Sequence, residues 1–365
     1  MSHFGFGLMR LPKKGLRTDI EQTSQMVDLF LEAGFSYFDT AHIYPGSEDA
    51  TRKALVSRHP RESFTIATKL YAPIALTEGA ARKQINTSLE RTQAGYIDYY
   101  LLHSIMGSNR AKYDRMGLWD FVRQLKRDGT IHHWGFSYHD GPELLDELLS
   151  THPDAEFVQL QINYADWENP SVTARQNYDV ARAHGKDIVI MEPVKGGKLA
   201  KPGREIEKLF ASYKPGSSPA SWAIRFAASL DGVLAVLSGM SNLEQMKDNL
   251  SFMRNFTPLD EHECCIIREA QSILGASPTI ACTACSYCTG GCPQGIAIPE
   301  VFSAMNELLG NGQQALAQAA YDDATAEAGL ASSCIACGQC EDACPQRLPI
   351  IELLRQSAET FEQAG

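Results

Sequence analysis

The chain has 365 residues, 44% of them hydrophobic, and a formal net charge of −11. This length suits one large domain plus a small one, with an ordinary share of apolar residues for a buried core. The acidic balance argues against nucleic acid, which needs a basic surface, and leaves no polybasic patch for an anionic membrane.

The start of the chain has no signal-peptide layout, and no segment approaches about twenty consecutive apolar residues, so the sequence predicts a cytosolic protein. None of the ten cysteines precedes Cys264, and eight fall into two blocks near the C-terminus. In a reducing compartment such cysteines are unlike a disulfide framework.

In chain order, short β-rich runs alternate with amphipathic helical stretches. FGFGLMR (4–10) reads as a strand, followed by DIEQTSQMVDLFLEAG (19–34), whose helical spacing ends in a glycine. FSYFDTA (35–41) leads to SEDATRKALVSR (47–58), a helix opened by a serine cap. FTIATKLYA (64–72) leads to TEGAARKQINTSLERT (77–92), and IDYYLLH (97–103) leads through a polar loop to WDFVRQLKRDG (119–129). IHHWGFSYH (131–139) precedes PELLDELLS (142–150), and FVQLQINYA (157–165) precedes SVTARQNYDVARAHG (171–185). DIVIMEPV (187–194) precedes SPASWAIRFAASL (218–230), and GVLAVLSGM (232–240) precedes NLEQMKDNLSFM (242–253).

Eight strand–helix units over about 250 residues match a (β/α)₈ TIM barrel. A doubly wound open sheet is the alternative, but no strand is followed by the G-x-G-x-x-G fingerprint of a dinucleotide-binding βαβ unit. The sequence therefore predicts a barrel over 1–256, a helix and linker over 257–277, and a small, mainly α-helical ferredoxin-like domain over 278–365.

At a barrel mouth, chemistry sits at the carboxyl ends of strands. Those positions hold Asp39 in FDTA, Tyr44 in HIYPG, Lys69 in ATKL and His103 in LLHS. Singly, each has an ordinary structural reading as a turn residue, packing, a solvated cation or a hydrogen-bonded core histidine. The set FDTA…Y, TK and LLH, in this order across residues 3–253, resembles the aldo-keto reductase superfamily. The resemblance implies an NAD(P)H-dependent oxidoreductase that interconverts a carbonyl compound and an alcohol by hydride transfer. It makes Tyr44 the proton donor, with Lys69 lowering its pKa, Asp39 holding the lysine, and His103 orienting the carbonyl.

The same resemblance implies cofactor contacts. Ser137 and Gln161 match residues that hold the nicotinamide carboxamide, although the usual Ser-Asn pair is Ser137-Tyr138 here. Met191, ahead of Pro193, stands where many relatives stack a tyrosine. Met9 and Arg10 fall near the ribose and pyrophosphate. SGMSNLEQMKDNL (238–250), with Ser238, Gly239, Met240, Gln245 and Asn249, matches the adenine end, where a helix N-terminus suits an anion. Gly239 and Gln245 replace the Lys and Arg that often clamp a 2′-phosphate. NADP(H) is favoured, and NAD(H) is the alternative. The loop SIMGSNRAKYDRMG (104–117) is a candidate pocket wall for a polar or anionic substrate, against the simpler reading of a surface loop.

Both cysteine blocks are C-x₂-C-x₂-C-x₃-C-P. Zinc sites more often use two separated C-x₂-C pairs, so the pattern predicts two [4Fe–4S] clusters. In two-cluster ferredoxins the fourth cysteine of each block serves the other cluster. That pattern assigns Cys282, Cys285, Cys288 and Cys344 to one, and Cys334, Cys337, Cys340 and Cys292 to the other. The helix-forming insert between the blocks resembles the α-helical ferredoxin modules of respiratory enzymes. Adjacent Cys264 and Cys265 read as buried or incidental thiols. Three roles follow: electron exchange with a ferredoxin or flavoprotein partner, a reductase with purely structural clusters, or a non-catalytic redox-sensing subunit.

Overall fold

The computed structural model describes residues 3–362. Eight parallel strands close into a barrel: β1 (Phe4–Gly7), β2 (Tyr37–Asp39), β3 (Thr65–Leu70), β4 (Ile97–Ile105), β5 (Ile131–Tyr138), β6 (Phe157–Gln161), β7 (Asp187–Met191) and β8 (Val233–Ser238). Closure runs through β1, where Gly5 pairs with both Tyr37 of β2 and Leu237 of β8.

Strand side chains alternate between two cores. Tyr37, Ala67, Leu101, Phe157, Val189, Ala235 and Leu237 fill the barrel interior. Their neighbours Phe38, Ile66, Leu102, Val158 and Val236 pack outward against helix residues such as Met26, Phe30 and Ile85. Phe157 fits inside only because β5 offers Gly135 beside it, where an added Cβ would lie 2.2 Å from the Phe157 carbonyl oxygen.

Helix positions follow the predicted spacing, with one correction in how a helix begins. Ser47 does not cap its helix; Gly46, at φ 71°, holds that position. The Ser47 hydroxyl instead donates to the Leu8 carbonyl at 2.9 Å and meets Thr40 Oγ1 at 2.7 Å. Arg204–Tyr213 forms a further helix that the periodic reading leaves unassigned.

The helix Glu261–Gly275 begins with a capping box between Asp260 and Glu263 and belongs to the barrel by packing. Its Ile267 and Ala270 are buried with Phe210 and Trp222, and Glu263 takes two bonds from buried Arg225, at 2.6 and 2.7 Å. On that helix Cys265 is exposed and Cys264 partly so, rather than buried.

The C-terminal domain packs the helices Ile298–Asn311, Gln314–Thr325 and Ile350–Phe361 around Ile296, Val301, Phe302, Leu354 and three of the cysteines. It sits on the carboxyl end of the barrel. Arg10 donates to the Thr283 carbonyl at 2.7 Å, and Arg347 pairs with Asp140. Gly196, at φ 64°, lets Thr283 approach so closely that a Cβ there would lie 2.6 Å from the Thr283 carbonyl oxygen. Among the described residues no helix is long and apolar enough to cross a membrane.

Candidate active site and cysteine-lined cavities

Alternation along the strands decides which side chains reach the mouth. Asp39, Lys69 and His103 fall on inward positions at or near the carboxyl ends of β2, β3 and β4, and Tyr44 follows in the loop after β2. Lys69 Nζ donates to Asp39 Oδ1 at 2.5 Å and to the Thr40 carbonyl at 2.7 Å. Gln159 Nε2 donates to the other Asp39 oxygen at 3.4 Å. Burial pushes the Asp39 carboxyl up and the Lys69 ammonium down, while each charge holds the other ionised.

Tyr44 lines the cavity beside this pair, its ring centroid 5.3 Å from Lys69 Nζ and 5.8 Å from the His103 ring. The sequence reading expects Lys69 to lower the pKa of this phenol. In the structure burial, and next the Asp39 carboxylate, push it above its ordinary value. Asp39 lies against the ammonium, so the pair presents a dipole to the phenol rather than a net positive charge. Tyr44 is therefore a protonated donor throughout the neutral range.

His103 is aimed by a feature that spacing does not reveal. The β4–β5 register shifts between Leu102 and Ile105, and Ser104 adopts φ 55°. Ser137 Oγ accepts from the Ser104 N–H at 2.6 Å, and Asn109 Nδ2 donates to the Ser104 carbonyl at 2.8 Å, holding the bend. Burial, then the Lys69 charge, keeps the His103 pKa well below its ordinary value, so the ring is neutral.

A cavity of about 260 Å³ opens on Asp39 and Tyr44, walled by Met9, Arg10, Met191, Pro193, Gly239 and Gln245 from the barrel. Cys285 and Tyr287 of the C-terminal domain complete the wall. Arg10 is the one Lys or Arg among the lining residues, which places a cation where an anionic ligand would enter.

Other expected cofactor contacts lie elsewhere. Ser137 serves the bend after His103. Gln161 and Gln346 of the C-terminal domain exchange amide hydrogen bonds of 3.0 and 3.1 Å, and Gln161 also donates to Asp166 at 2.9 Å. Asn249 Nδ2 donates to Ser238 Oγ at 2.7 Å, and Met240 is buried. At the helix Leu243–Met253, Asn242 accepts from the Gln245 N–H, and the Gln245 side chain accepts from the Ser241 N–H. The protein's own side chains thus occupy part of that expected anion site. The loop 104–117 is not a wall of the cavity: Arg110 pairs with Glu147 at the surface, and the Tyr113 hydroxyl donates to the His103 carbonyl from behind.

The two cysteine blocks interlock. Cys282, Cys285, Cys288 and Cys344 ring one small cavity, while Cys292, Cys334, Cys337 and Cys340 ring another. Among the described residues no three His, Cys, Asp or Glu side chains form a group that could hold a metal ion. The thiols are instead spread around a hollow, as the corners of a multi-iron core require.

Three residues of the site carried no motif. Glu192, at φ 59°, lines the main cavity, and burial pushes its carboxyl up to about 7 despite Arg10 and Lys195 nearby. Gln346 meets Gln161 only because the domains dock. Tyr287 is the large aromatic side chain within the cysteine blocks, the one local sign that this loop has business outside its own cavity.

Comparison with known proteins accords with this geometry. Residues 3–272 match the Aldo/keto reductase family, and residues 281–348 match the 4Fe-4S dicluster domain. A methylglyoxal reductase from Yersinia pestis is 25% identical over 66% of this chain and 82% of its own length. An uncharacterized oxidoreductase from Bacillus subtilis is 26% identical over 51% of this chain, which spans 61% of that protein. An aldo-keto reductase from Bacillus halodurans in its holo form superposes with a TM-score of 0.60 at 24% identity, covering 73% of this chain and 91% of that one. One from Klebsiella pneumoniae, in complex with NADPH, gives 0.60 at 19% identity over 73% and 90%. A closed parallel barrel with these rim residues, matched along most of its length, makes this chain a member of the aldo/keto reductase family that also carries a 4Fe-4S dicluster domain.

Proposed function

We propose that the protein is an NAD(P)H-dependent carbonyl reductase whose two [4Fe–4S] clusters exchange electrons beside the reduction site. The observation that carries this reading is that Asp39 and Tyr44, backed by Lys69 and His103, line a cavity that also meets Arg10, Met191 and Gly239. A bound dihydronicotinamide supplies the hydride that reduces the carbonyl carbon. Met191 and Pro193 would hold its ring in the cavity, and Arg10 would take a phosphate oxygen. The carbonyl oxygen, gaining negative charge, accepts from neutral His103 and takes the proton of Tyr44. The Asp39–Lys69 pair holds Tyr44 in place. Run in reverse, the same groups oxidise an alcohol.

Cys282, Cys285, Cys288 and Cys344 hold the cluster nearer the cavity, and Cys292, Cys334, Cys337 and Cys340 hold the outer one. An electron role is supported by Cys285, which faces both the inner hollow and the main cavity. A ferredoxin or flavoprotein then meets the outer cluster. A purely structural role has its own support, since Cys288, Cys340 and Cys344 lie within the core of the C-terminal domain. A cytosolic setting keeps the thiols reduced.

Anaerobic purification with iron and sulfide analysis, electron paramagnetic resonance (EPR), and turnover of a carbonyl panel with NADPH and NADH tests the reading. About eight iron and eight sulfide per chain are expected. Cluster bleaching by NADPH in the presence of a flavoprotein that splits its hydride into single electrons supports the electron role. Turnover unchanged by cluster reduction identifies the structural one.

A further inference from the structure

Tyr287 lies between two cluster-cavity cysteines, yet its side chain leaves that loop and enters the barrel mouth. Its hydroxyl stands 3.3 Å from His103 Nε2, and it lines the main cavity together with Tyr44. The ring stacks on Tyr71 with centroids 6.4 Å apart and planes at 19°, and it meets the His103 ring edge-on at 6.2 Å. Upstream, Ala284 and Ser286 both adopt positive φ, 51° and 63°, which turns the loop toward the barrel. His103 Nδ1 has no partner among the described residues, so the hydrogen-bonding pattern places the single proton of the neutral ring on Nε2.

Reduction of a carbonyl requires one oxygen within reach of both the Tyr44 O–H and the His103 Nε2–H. In this structure the Tyr287 hydroxyl already stands at the His103 side of that position, in the cavity that Tyr44 also lines. We infer that Tyr287 is an internal ligand of the oxygen site, so that a substrate enters only by displacing it, and that displacement moves the Cys285–Cys288 loop. The site then selects carbonyl compounds that replace what Tyr287 gives up: an oxygen able to accept two hydrogen bonds and a flat group to lie against Tyr71. It also gives the cluster loop a direct mechanical report of occupancy, independent of any electron transfer.

The inference rests on the proposed roles of Tyr44 and His103 as donors to a substrate oxygen. Benzoate is a suitable probe, because its carboxylate accepts from both donors and its ring is flat. Calorimetric titration of the anaerobic holoprotein compares wild type with Tyr287→Phe, which keeps the ring but loses the hydroxyl that meets His103, and with Tyr287→Ala, which empties the slot. Both variants should bind benzoate at least about tenfold more tightly than wild type, the equivalent of one displaced hydrogen bond. Equal affinities, no binding to any of the three, or weaker binding by the variants would overturn the inference. In wild type, benzoate at confirmed occupancy should shift the EPR signal of one cluster and leave the other unchanged. Unaltered spectra of both clusters also overturn it, and this measurement needs no variant to fold. Failure of the underlying reading looks different: Tyr44→Phe then turns over carbonyls normally, whatever benzoate does.

Discussion

Replacing Tyr44 with phenylalanine tests the reduction chemistry most directly, because neither Lys69 nor His103 can take over as the acid once a substrate has displaced Tyr287. Lys69 Nζ is committed to Asp39 Oδ1 at 2.5 Å and to the Thr40 carbonyl at 2.7 Å. Burial and the Lys69 charge hold His103 neutral, so its ring offers one N–H as a hydrogen-bond donor but no spare proton. General acid catalysis is worth about 10²–10⁴ in rate, and without a stand-in the loss belongs in the upper half of that range, about 10³-fold or 4 kcal/mol. The aromatic ring remains, so cofactor affinity should change less than about twofold. The assay is anaerobic NADPH oxidation with the best carbonyl of a panel, alongside fluorescence titration of NADPH. A Tyr44→Phe enzyme within about fivefold of wild-type kcat refutes the assignment. The pH profile adds a second check: Tyr44 is pushed above its ordinary value and His103 below, so neither should produce a limb between about pH 6.5 and 10.

Glu192 is the cavity group that does titrate near neutrality, at about 7 against an ordinary 4.5. A folded pKa above the unfolded one means that folding takes up a proton, so stability is highest below about pH 4.5 and falls as pH rises to about 7, by at most about 3 kcal/mol. Thermal unfolding should show Glu192→Gln gaining on wild type between pH 5 and 8, and a constant difference would contradict the argument. Glu263 runs the other way: burial raises its carboxyl, but Arg225, the Asp260 N–H and Lys214 together bring it down to about 2. Its contribution is present above about pH 4.5 and disappears as pH falls toward 2. Glu263→Gln leaves the buried Arg225 guanidinium without a counter-charge and should destabilise by about 3–5 kcal/mol, read by chemical unfolding at pH 7. For the cysteines, Cys344→Ser should abolish the same EPR signal as Cys282→Ser, and Cys292→Ser the same one as Cys337→Ser. Pairing of Cys344 with Cys337 would contradict the crossed arrangement.

Much of this molecule is readable from local pattern. Strand-end position brings Asp39, Lys69 and His103 to one mouth because a parallel barrel gathers the carboxyl ends of its strands on one side. The cysteine spacing was equally local. What escaped depends on contacts between distant segments. The bend at Ser104 needs Ser137 and Asn109 to hold it, and nothing in LLHSIM announces it. Gln161 has the residue type expected for a carboxamide contact, yet its partner here is Gln346, far along the chain. Ser47 looked like a cap because serine before an acidic turn usually is one, but Leu8 and Thr40 offered its hydroxyl better partners. Tyr287 could be noticed as an odd aromatic but not located, since its place depends on how one domain seats on the other.

The crossed rings of thiols bear on how the molecule is made. Each hollow takes three cysteines from one block and its last from the other, so both remain open while the ribosome is still making the segment between them. Cys344 follows the barrel in chain order, so the barrel is already synthesised when it emerges. Completing either hollow therefore follows synthesis of the barrel, which is available as a platform. Oxidation of one bridging thiol, Cys292 or Cys344, would open a hollow built mainly by the opposite block, so damage at one end of the domain is felt at the other.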